Sequence, residues 1–140
     1  MPTRKANAVW TGGLKGGKGS FKGETGLGGQ YNFGSRFESG TGSNPEELLA
    51  AAEAACFSMA FAGALEKNGT PPTSVETDAA CTVEKAGDGF TITKMALTVK
   101  AQVPGIAKDA FERIAQATKD GCPVSRALKG VDIQVQAQLT

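Results

Sequence analysis

One uninterrupted alanine-rich segment near the middle of the chain limits its possible folds more than any other feature. Asn44-Pro45-Glu46-Glu47 supplies an N-cap, a proline at the first helical position and a glutamate three residues after the cap, which predicts a helix start. Helix formers continue to Lys67, where Asn68-Gly69 predicts the end. Polar residues are so rare that we expect this central helix, residues 44–67, to be buried nearly all round. Helical spacing indicates its inner face: Leu49, Ala52, Cys56, Met59 and Gly63.

Residues 1–43, which precede this helix, predict a small group of strands. They are rich in glycine and short of helix formers. Short strands are predicted at Lys5–Trp10, Lys18–Lys22 and Gln30–Phe37, with the first two joined by a glycine-rich turn.

The part of the chain that follows the helix predicts more strands and two further helices. Alternating apolar residues predict two strands within residues 74–103 and a final strand at 131–139. Between them, residues 108–129 carry an amphipathic helix and a short second helix that starts at Cys122-Pro123. The whole pattern predicts an α+β fold in which antiparallel sheets pack on a buried central helix, in a single domain of residues 1–140.

Composition excludes several classes of protein. The formal net charge is only +1, whereas nucleic-acid binders usually carry a strong basic excess. The chain has no histidine, so the commonest metal ligand and general base are absent, and catalysis would rely on cysteines, carboxylates, lysines or arginines. The apolar run Ala54–Leu65 is interrupted by Ser58 and Gly63, and we expect it to be too short to span a membrane. No apolar signal segment stands at the N-terminus, and we expect a cytoplasmic protein.

Three cysteines in a chain without a secretion signal suit a reducing compartment, and their odd number argues against a purely structural disulfide framework. Cys56 lies in mid-helix, where a buried inert thiol is the simplest interpretation, and a reactive one would need a nearby cation. Cys122 lies at a helix N-terminus, whose dipole stabilises a thiolate, so physical reasoning alone favours it as the reactive thiol or as a helix cap. Cys81, on the apolar face of a strand, is expected to pack in the core.

Arg36 and Glu46 are the charged candidates. Arg36 stands between Phe33 and Phe37, just before the central helix, and would be the cation that a reactive Cys56 needs, although an isolated arginine is usually a solvated charge. Glu46, in the first helical turn, is most simply a capping and dipole partner.

Gly12–Gly19 nearly matches a phosphate-binding loop. Its last position is Gly19 where that motif requires serine or threonine, and the residues that follow predict a strand where the motif requires a helix. Nucleotide binding is therefore disfavoured.

Several segments, in order along nearly the whole chain, resemble the osmotically inducible protein C (OsmC) family. They are Ser35-Arg36-Phe37-Glu38, Asn44-Pro45-Glu46-Glu47-Leu48-Leu49, Ala54-Ala55-Cys56-Phe57-Ser58-Met59-Ala60, Gly89-Phe90-Thr91-Ile92-Thr93-Lys94, Val103-Pro104-Gly105-Ile106 and Gly121-Cys122-Pro123-Val124-Ser125. The resemblance implies an OsmC/Ohr-type thiol peroxidase that forms an intertwined homodimer with active sites at the subunit interface. It also implies organic hydroperoxides as substrates, no cofactor or metal, and an external dithiol reductant such as dihydrolipoamide.

The same resemblance implies a role for each site residue: Cys56 as the peroxidatic cysteine, Cys122 as the resolving cysteine, Arg36 as the activator of the thiolate and Glu46 as the residue that holds Arg36. Many members carry histidine where this chain has Glu53, which we do not expect to be catalytic, although its carboxylate would raise the pKa of Cys56 if the two face each other. Glu46 and Cys56 are ten residues apart, about 15 Å along one helix. We therefore expect Arg36 and Glu46 to come from one subunit and Cys56 from the other.

Aromatic and apolar neighbours predict a preference for alkyl peroxides over hydrogen peroxide: Phe33, Phe37, Phe57, Met59 and Phe61. Two other functions remain open at this point. The cysteine pair would serve a redox sensor or stress protein without efficient turnover, or both thiols would be structural.

Overall fold

The computed structural model describes all residues 1–140. Contacts within the chain divide it into two compact units, Met1–Glu47 and Leu48–Thr140, and each is described by itself. The single domain remains a prediction, whereas the α+β fold class is confirmed by the elements and by the comparisons with solved structures reported below.

The first unit contains a three-stranded antiparallel sheet in the order β1-β2-β3. Its strands are β1 (Ala6–Thr11), β2 (Lys18–Gly23) and β3 (Gly28–Asn32). The two turns that join them contain Gly12 and Gly26, both with positive φ, which explains why glycine is used there. All three strands were predicted: the ends of β1 and β2 differ from the predicted ones by at most one residue, and β3 begins two residues earlier than predicted.

The predicted strand Gln30–Phe37 is wrong in its second half. Residues Phe33–Phe37 form the short helix α1. The cause is a capping box: the side chain of Asn32 accepts a hydrogen bond from the Ser35 N–H at 2.8 Å, and the Ser35 hydroxyl accepts one from the Asn32 N–H at 2.9 Å. These reciprocal bonds turn the chain out of the sheet immediately before Arg36.

The second unit contains the sheet β4-β5-β6 and most of the helical residues. Its elements are α2 (Pro45–Lys67), whose first residues belong to the first unit, β4 (Ser74–Ala86), β5 (Gly89–Gln102), α3 (Lys108–Gly121), α4 (Pro123–Ala127) and β6 (Asp132–Leu139). The expectation of antiparallel sheets is wrong for one pair, because β6 runs parallel to β5. The chain crosses from β5 to β6 through α3 and α4, and a helical crossover returns the next strand in the same direction.

The core of the second unit is formed by one face of β5, the inner stripe of α3 and one face of α2. Alternate β5 residues from Met95 to Ala101 are almost fully buried. The stripe predicted for α3 is confirmed, since its buried residues are Phe111, Ile114, Ala115 and Thr118.

The inner face predicted for α2 is wrong. From Glu53 onwards the buried positions follow one another every four residues: Glu53, Phe57, Phe61 and Leu65. Ala52 is exposed, and Met59 retains 81% of its surface. A helix that is apolar on every side gives no sequence signal for one face, and the large phenylalanines decide the packing because they bury the most area. In the single chain α2 is therefore open along one side, where we predicted burial all round.

By length and composition alone, helix α2 is long and apolar enough to cross a membrane, and 22% of its apolar stretch is buried. The expectation that this stretch is too short is therefore wrong, because the apolar run extends back to Leu48. Core helices of soluble proteins are also long and apolar, so one such helix is weak evidence for a membrane span. A fully buried Glu53 in its middle is typical of a helix that packs against protein.

Candidate active site

Two cysteines that are 66 residues apart in the sequence meet in the second unit. The Sγ atoms of Cys56, in the middle of α2, and Cys122, at the junction of α3 and α4, are 2.9 Å apart, and both are free thiols. Cys122 is fixed by its backbone, since its N–H donates to the Thr118 carbonyl at 2.8 Å and its carbonyl accepts from the Arg126 N–H at 2.9 Å. The two sulfurs therefore lie within reach of a disulfide with little movement of the chain.

The two thiols differ in access to solvent. The position of Cys122 at a helix terminus favoured it as the reactive thiol, but Cys56 is the more accessible of the two. Cys122 is completely buried, whereas Cys56 retains part of its surface. A molecule that arrives from solvent therefore meets Cys56 first. Position at a helix end does not by itself expose a side chain, because here the end lies against α2.

The surroundings of Cys56 raise its pKa above the ordinary thiol value. Burial is the largest cause, and the hydrogen bond with Cys122 adds to it. The backbone N–H of Val124 acts in the opposite direction, while the charges of Cys122 and Glu53 raise the pKa further. None of these groups is a cation. The thiolate that nucleophilic chemistry needs is therefore not favoured by the groups that surround Cys56 in this chain.

A second pair of side chains joins the same two segments. Glu53 lies three residues before Cys56 on α2, and Ser125 lies three residues after Cys122 in α4. The Ser125 hydroxyl donates to Glu53 Oε1, and both residues are buried. The other oxygen, Glu53 Oε2, is buried without a hydrogen-bond partner in the chain. The sequence reasoning missed Ser125, although a lone glutamate in an alanine-rich helix was the available signal.

Arg36 and Glu46 form an ion pair within the first unit. Arg36 Nη2 donates to Glu46 Oε1 at 2.9 Å, and its Nε lies 3.2 and 3.3 Å from the two carboxylate oxygens. The guanidinium carbon stands 4.9 Å from the centre of the Phe37 ring, a cation–π distance. Glu46 is 5% exposed. The arginine is thus held from one side by a carboxylate and from another by an aromatic face, as α1 and the start of α2 place them.

A cavity of about 230 Å³ adjoins Arg36 in the first unit. Its lining is mostly aromatic and apolar: Trp10, Leu14, Tyr31, Asn32, Phe33, Arg36 and Phe37. The expectation that Phe57 and Phe61 belong to the substrate surroundings is wrong, because both have no exposed surface and form part of the core.

The near match to a phosphate-binding loop has no helix behind it. Lys18 opens β2, where it pairs with Thr11 of β1 and with Asn32 of β3. The strand predicted there is confirmed, and the backbone N–H groups of a helix N-terminus, which phosphate binding would require, are absent from this position. No cluster of three or more cysteine, aspartate and glutamate side chains forms a metal-binding group.

Comparisons with known proteins show the family to which the chain belongs. The family model described as OsmC-like protein matches residues 38–136. The chain is 46% identical over 138 residues to the peroxiredoxin OsmC of Escherichia coli (strain K12), which covers 97% of this chain and 96% of that protein. It is 30% identical over 101 residues to the organic hydroperoxide resistance protein OhrB of Bacillus subtilis (strain 168), with 71% and 72% covered. The crystal structure of Bacillus subtilis OhrB superposes with a TM-score of 0.73 at 25% identity, over 96% of this chain and 98% of that one.

Proposed function

The chain belongs to the OsmC-like family, and from that premise we propose that it is a thiol-dependent peroxidase that reduces organic hydroperoxides to alcohols. The observation that carries the proposal is the pair of free thiols, with Sγ atoms 2.9 Å apart, of which Cys56 is reachable and Cys122 is buried. The relatives named above as a peroxiredoxin and as an organic hydroperoxide resistance protein support the choice of a peroxide as the oxidant.

The proposed reaction has two steps on the protein. The Cys56 thiolate attacks the terminal oxygen of the hydroperoxide, so that an S–O bond forms, the O–O bond breaks, and the alkoxide takes up a proton and leaves as the alcohol. Cys122 then attacks the sulfur of the Cys56 sulfenic acid, an S–S bond forms, and hydroxide leaves with a proton as water. An external dithiol, such as dihydrolipoamide, supplies two electrons and two protons to restore both thiols.

Activation of Cys56 requires a positive charge, and Arg36 is the residue proposed to supply it. The groups that act on the Cys56 pKa in this chain include no cation, whereas Arg36 is held rigidly by Glu46. We place Arg36 and Glu46 of one copy beside Cys56 of a second copy in a homodimer. The open side of α2, with Ala52 and the exposed Met59, is an apolar surface of the kind that subunit interfaces cover.

The substrate class follows from the surroundings of Arg36. A cavity lined by aromatic rings offers an alkyl or aryl group a favourable apolar environment. Hydrogen peroxide gains nothing there because it has no apolar group to bury. We therefore propose organic hydroperoxides as the preferred substrates. The proposed compartment is the cytoplasm.

A redox sensor that uses the same cysteines without efficient turnover is the second candidate. It is favoured by the raised pKa of Cys56, because a small thiolate fraction slows reaction with a peroxide.

Single-turnover consumption of cumene hydroperoxide and of hydrogen peroxide tests the function. We expect the wild type to consume cumene hydroperoxide faster, Cys56→Ser to lose the reaction, and Cys122→Ser to consume one equivalent and stop. Turnover by Cys56→Ser with none by Cys122→Ser would exchange the two roles. Absence of consumption by the wild type would refute the peroxidase, and stoichiometric oxidation without catalytic turnover in the presence of dihydrolipoamide would favour the sensor.

Mixed dimers test the shared site. Arg36→Met is expected to be about 100-fold slower than the wild type and Cys56→Ser inactive, but a heterodimer of the two contains one complete site if Arg36 of one copy serves Cys56 of the other. Random co-assembly would then restore about a quarter of the wild-type activity. A mixture without activity, or a fully active monomer by solution mass, would refute the shared site.

A further inference from the structure

We infer that Glu53 and Ser125 form a positioning pair that holds Cys122 against Cys56 and thereby sets how readily the two thiols join. This inference deepens the proposed function and rests on Cys56 and Cys122 acting as a redox pair. Neither Glu53 nor Ser125 is proposed to touch the substrate.

The argument starts from the geometry of the two bridges. Cys56 and Glu53 are separated by three residues on α2, which places them on neighbouring turns of the same helix. Cys122 and Ser125 are separated by three residues across the start of α4. The Sγ–Sγ contact and the Ser125–Glu53 hydrogen bond therefore connect the same two segments side by side. Two adjacent contacts fix both the separation and the rotation of one segment against the other, whereas one contact would leave rotation free.

Burial makes the second bridge effective. Glu53 has no exposed surface and Ser125 is 5% exposed, so water does not compete for their hydrogen bond. Oε2 of Glu53 has no hydrogen-bond partner in the chain. The bond from the Ser125 hydroxyl to Oε1 is therefore the only one that compensates the cost of burying this carboxyl group. If α4 moved away from α2, Glu53 would lose that bond while still facing the protein interior. The carboxyl group thus disfavours any arrangement in which Cys122 leaves Cys56.

The equilibrium between this dithiol and glutathione measures the positioning directly. Glutathione disulfide accepts two electrons from Cys56 and Cys122, and the products are the intramolecular disulfide and two molecules of glutathione. The equilibrium ratio of oxidised to reduced protein then reports the effective concentration of one thiol at the other. All variants carry Cys81→Ser, so that only two cysteines react. We expect Ser125→Ala and Glu53→Ala to lower this effective concentration about tenfold, because a displacement of roughly an ångström is sufficient to cost that factor.

Glu53→Gln is the conservative variant, because its amide oxygen still accepts from the Ser125 hydroxyl. We expect it to keep the wild-type effective concentration to within a factor of two or so. A fall as large as that of Glu53→Ala would overturn the inference. Ser125→Ala removes a single oxygen atom, and its fold, checked by circular dichroism, provides the same test should Glu53→Ala fail to fold.

Ser58→Ala is the matched control. Ser58 lies two residues from Cys56, and its hydroxyl bonds Thr77 of β4 at 2.8 Å, so the variant removes a hydrogen bond of α2 that does not lead to Cys122. An unchanged effective concentration supports the inference, and a loss equal to that of Ser125→Ala would overturn it. Because the exchange with glutathione needs no peroxide, a wild type that fails to consume peroxide would refute the proposed function and leave this measurement intact.

Discussion

Helix α2 buries two glutamates in contrasting surroundings. Glu46, 5% exposed, meets the guanidinium of Arg36 through Nη2 and Nε. Glu53, with no exposed surface, meets only the hydroxyl of Ser125 and leaves one oxygen without a partner. One carboxylate is compensated by a full opposite charge and the other by a single neutral hydrogen bond, although both residues come from the same helix and the same residue type.

The difference separates the two tasks that a two-cysteine site requires. A peroxidatic thiol needs a fixed positive charge, and Glu46 is suited to fix Arg36 because a bidentate carboxylate orients a guanidinium in its plane. A resolving thiol needs to be close, and Glu53 is suited to that because a buried hydrogen bond to Ser125 ties two segments together. Glu53 also adds a negative charge that raises the pKa of Cys56, so its position has a chemical cost that Glu46 does not impose.

The largest effect is expected when Glu46 loses its counter-charge. Arg36→Met keeps an unbranched apolar stem and removes the cation that we assign to Cys56, so the single-turnover rate with cumene hydroperoxide should fall about 100-fold, as when one preorganised donor is removed from an active site. Arg36→Lys should recover only part of the loss, because an ammonium group cannot make the bidentate contact. Stopped-flow measurement of Cys56 oxidation decides this. A rate for Arg36→Met within a factor of two or so of the wild type would remove Arg36 from the mechanism.

The second largest effect concerns the stability that the Glu53–Ser125 bond contributes. A double-mutant cycle of Glu53→Gln, Ser125→Ala and the double variant isolates the charged component of the bond. We expect a coupling free energy of about 2 kcal/mol at most, since hydrogen bonds to charged groups are stronger than neutral ones. Urea unfolding of the reduced protein measures it. The Ser58–Thr77 pair, a neutral hydroxyl bond, serves as the reference and should couple by about 1 kcal/mol. Because glutamine keeps a neutral acceptor, a coupling near zero in the Glu53 cycle would show that the Glu53–Ser125 bond is no stronger than a neutral one.

Neutralisation of Glu46 should have an intermediate effect on the first step. Glu46→Gln leaves one carbonyl oxygen for Arg36 and removes the ion pair, so the arginine is held less firmly, and the single-turnover rate should fall about tenfold. The same substitution at Glu53 should not slow that step at all. The contrast between the two variants, measured side by side with cumene hydroperoxide, is therefore diagnostic. A comparable slowing in both would mean that the two glutamates serve the same task.

Much of this fold could be predicted because its signals are local. The start of α2, the inner stripe of α3 and the alternation of β6 follow from caps and periodicity, and the structure confirms them. The register of α2 could not be predicted, because alanines surround it and no periodicity distinguishes Phe57 and Phe61 from their neighbours. The parallel strand β6 likewise depends on the path of the crossover, which strand patterns do not encode.

The site was predictable only where a residue type carries its own chemistry. Cys56, Cys122, Arg36 and Glu46 were named by resemblance, and their roles remain predictions, but the proximity of the two thiols is a tertiary contact across 66 residues. Local reasoning preferred Cys122 as the reactive thiol because it considered the helix end and not the helix packed against it. Ser125 was missed for the same reason, since its importance arises only from its partner on α2.

The smallest effect tests the cost that Glu53 imposes on Cys56. The groups that raise the Cys56 pKa by charge are Cys122 and Glu53, and Glu53 is the weakest cause. Glu53→Gln removes its charge, so the pKa of Cys56 should fall slightly, and the thiolate fraction at pH 7, where most of the thiol is protonated, should rise. The single-turnover rate should therefore increase modestly at pH 7, its pH profile should move towards lower pH, and the two proteins should converge at pH values above both Cys56 pKa values. Ser125→Ala retains the carboxyl group and should show no such shift. An unchanged profile for Glu53→Gln would mean that Glu53 does not act on the Cys56 thiol electrostatically, and its part in the site would then be positional alone.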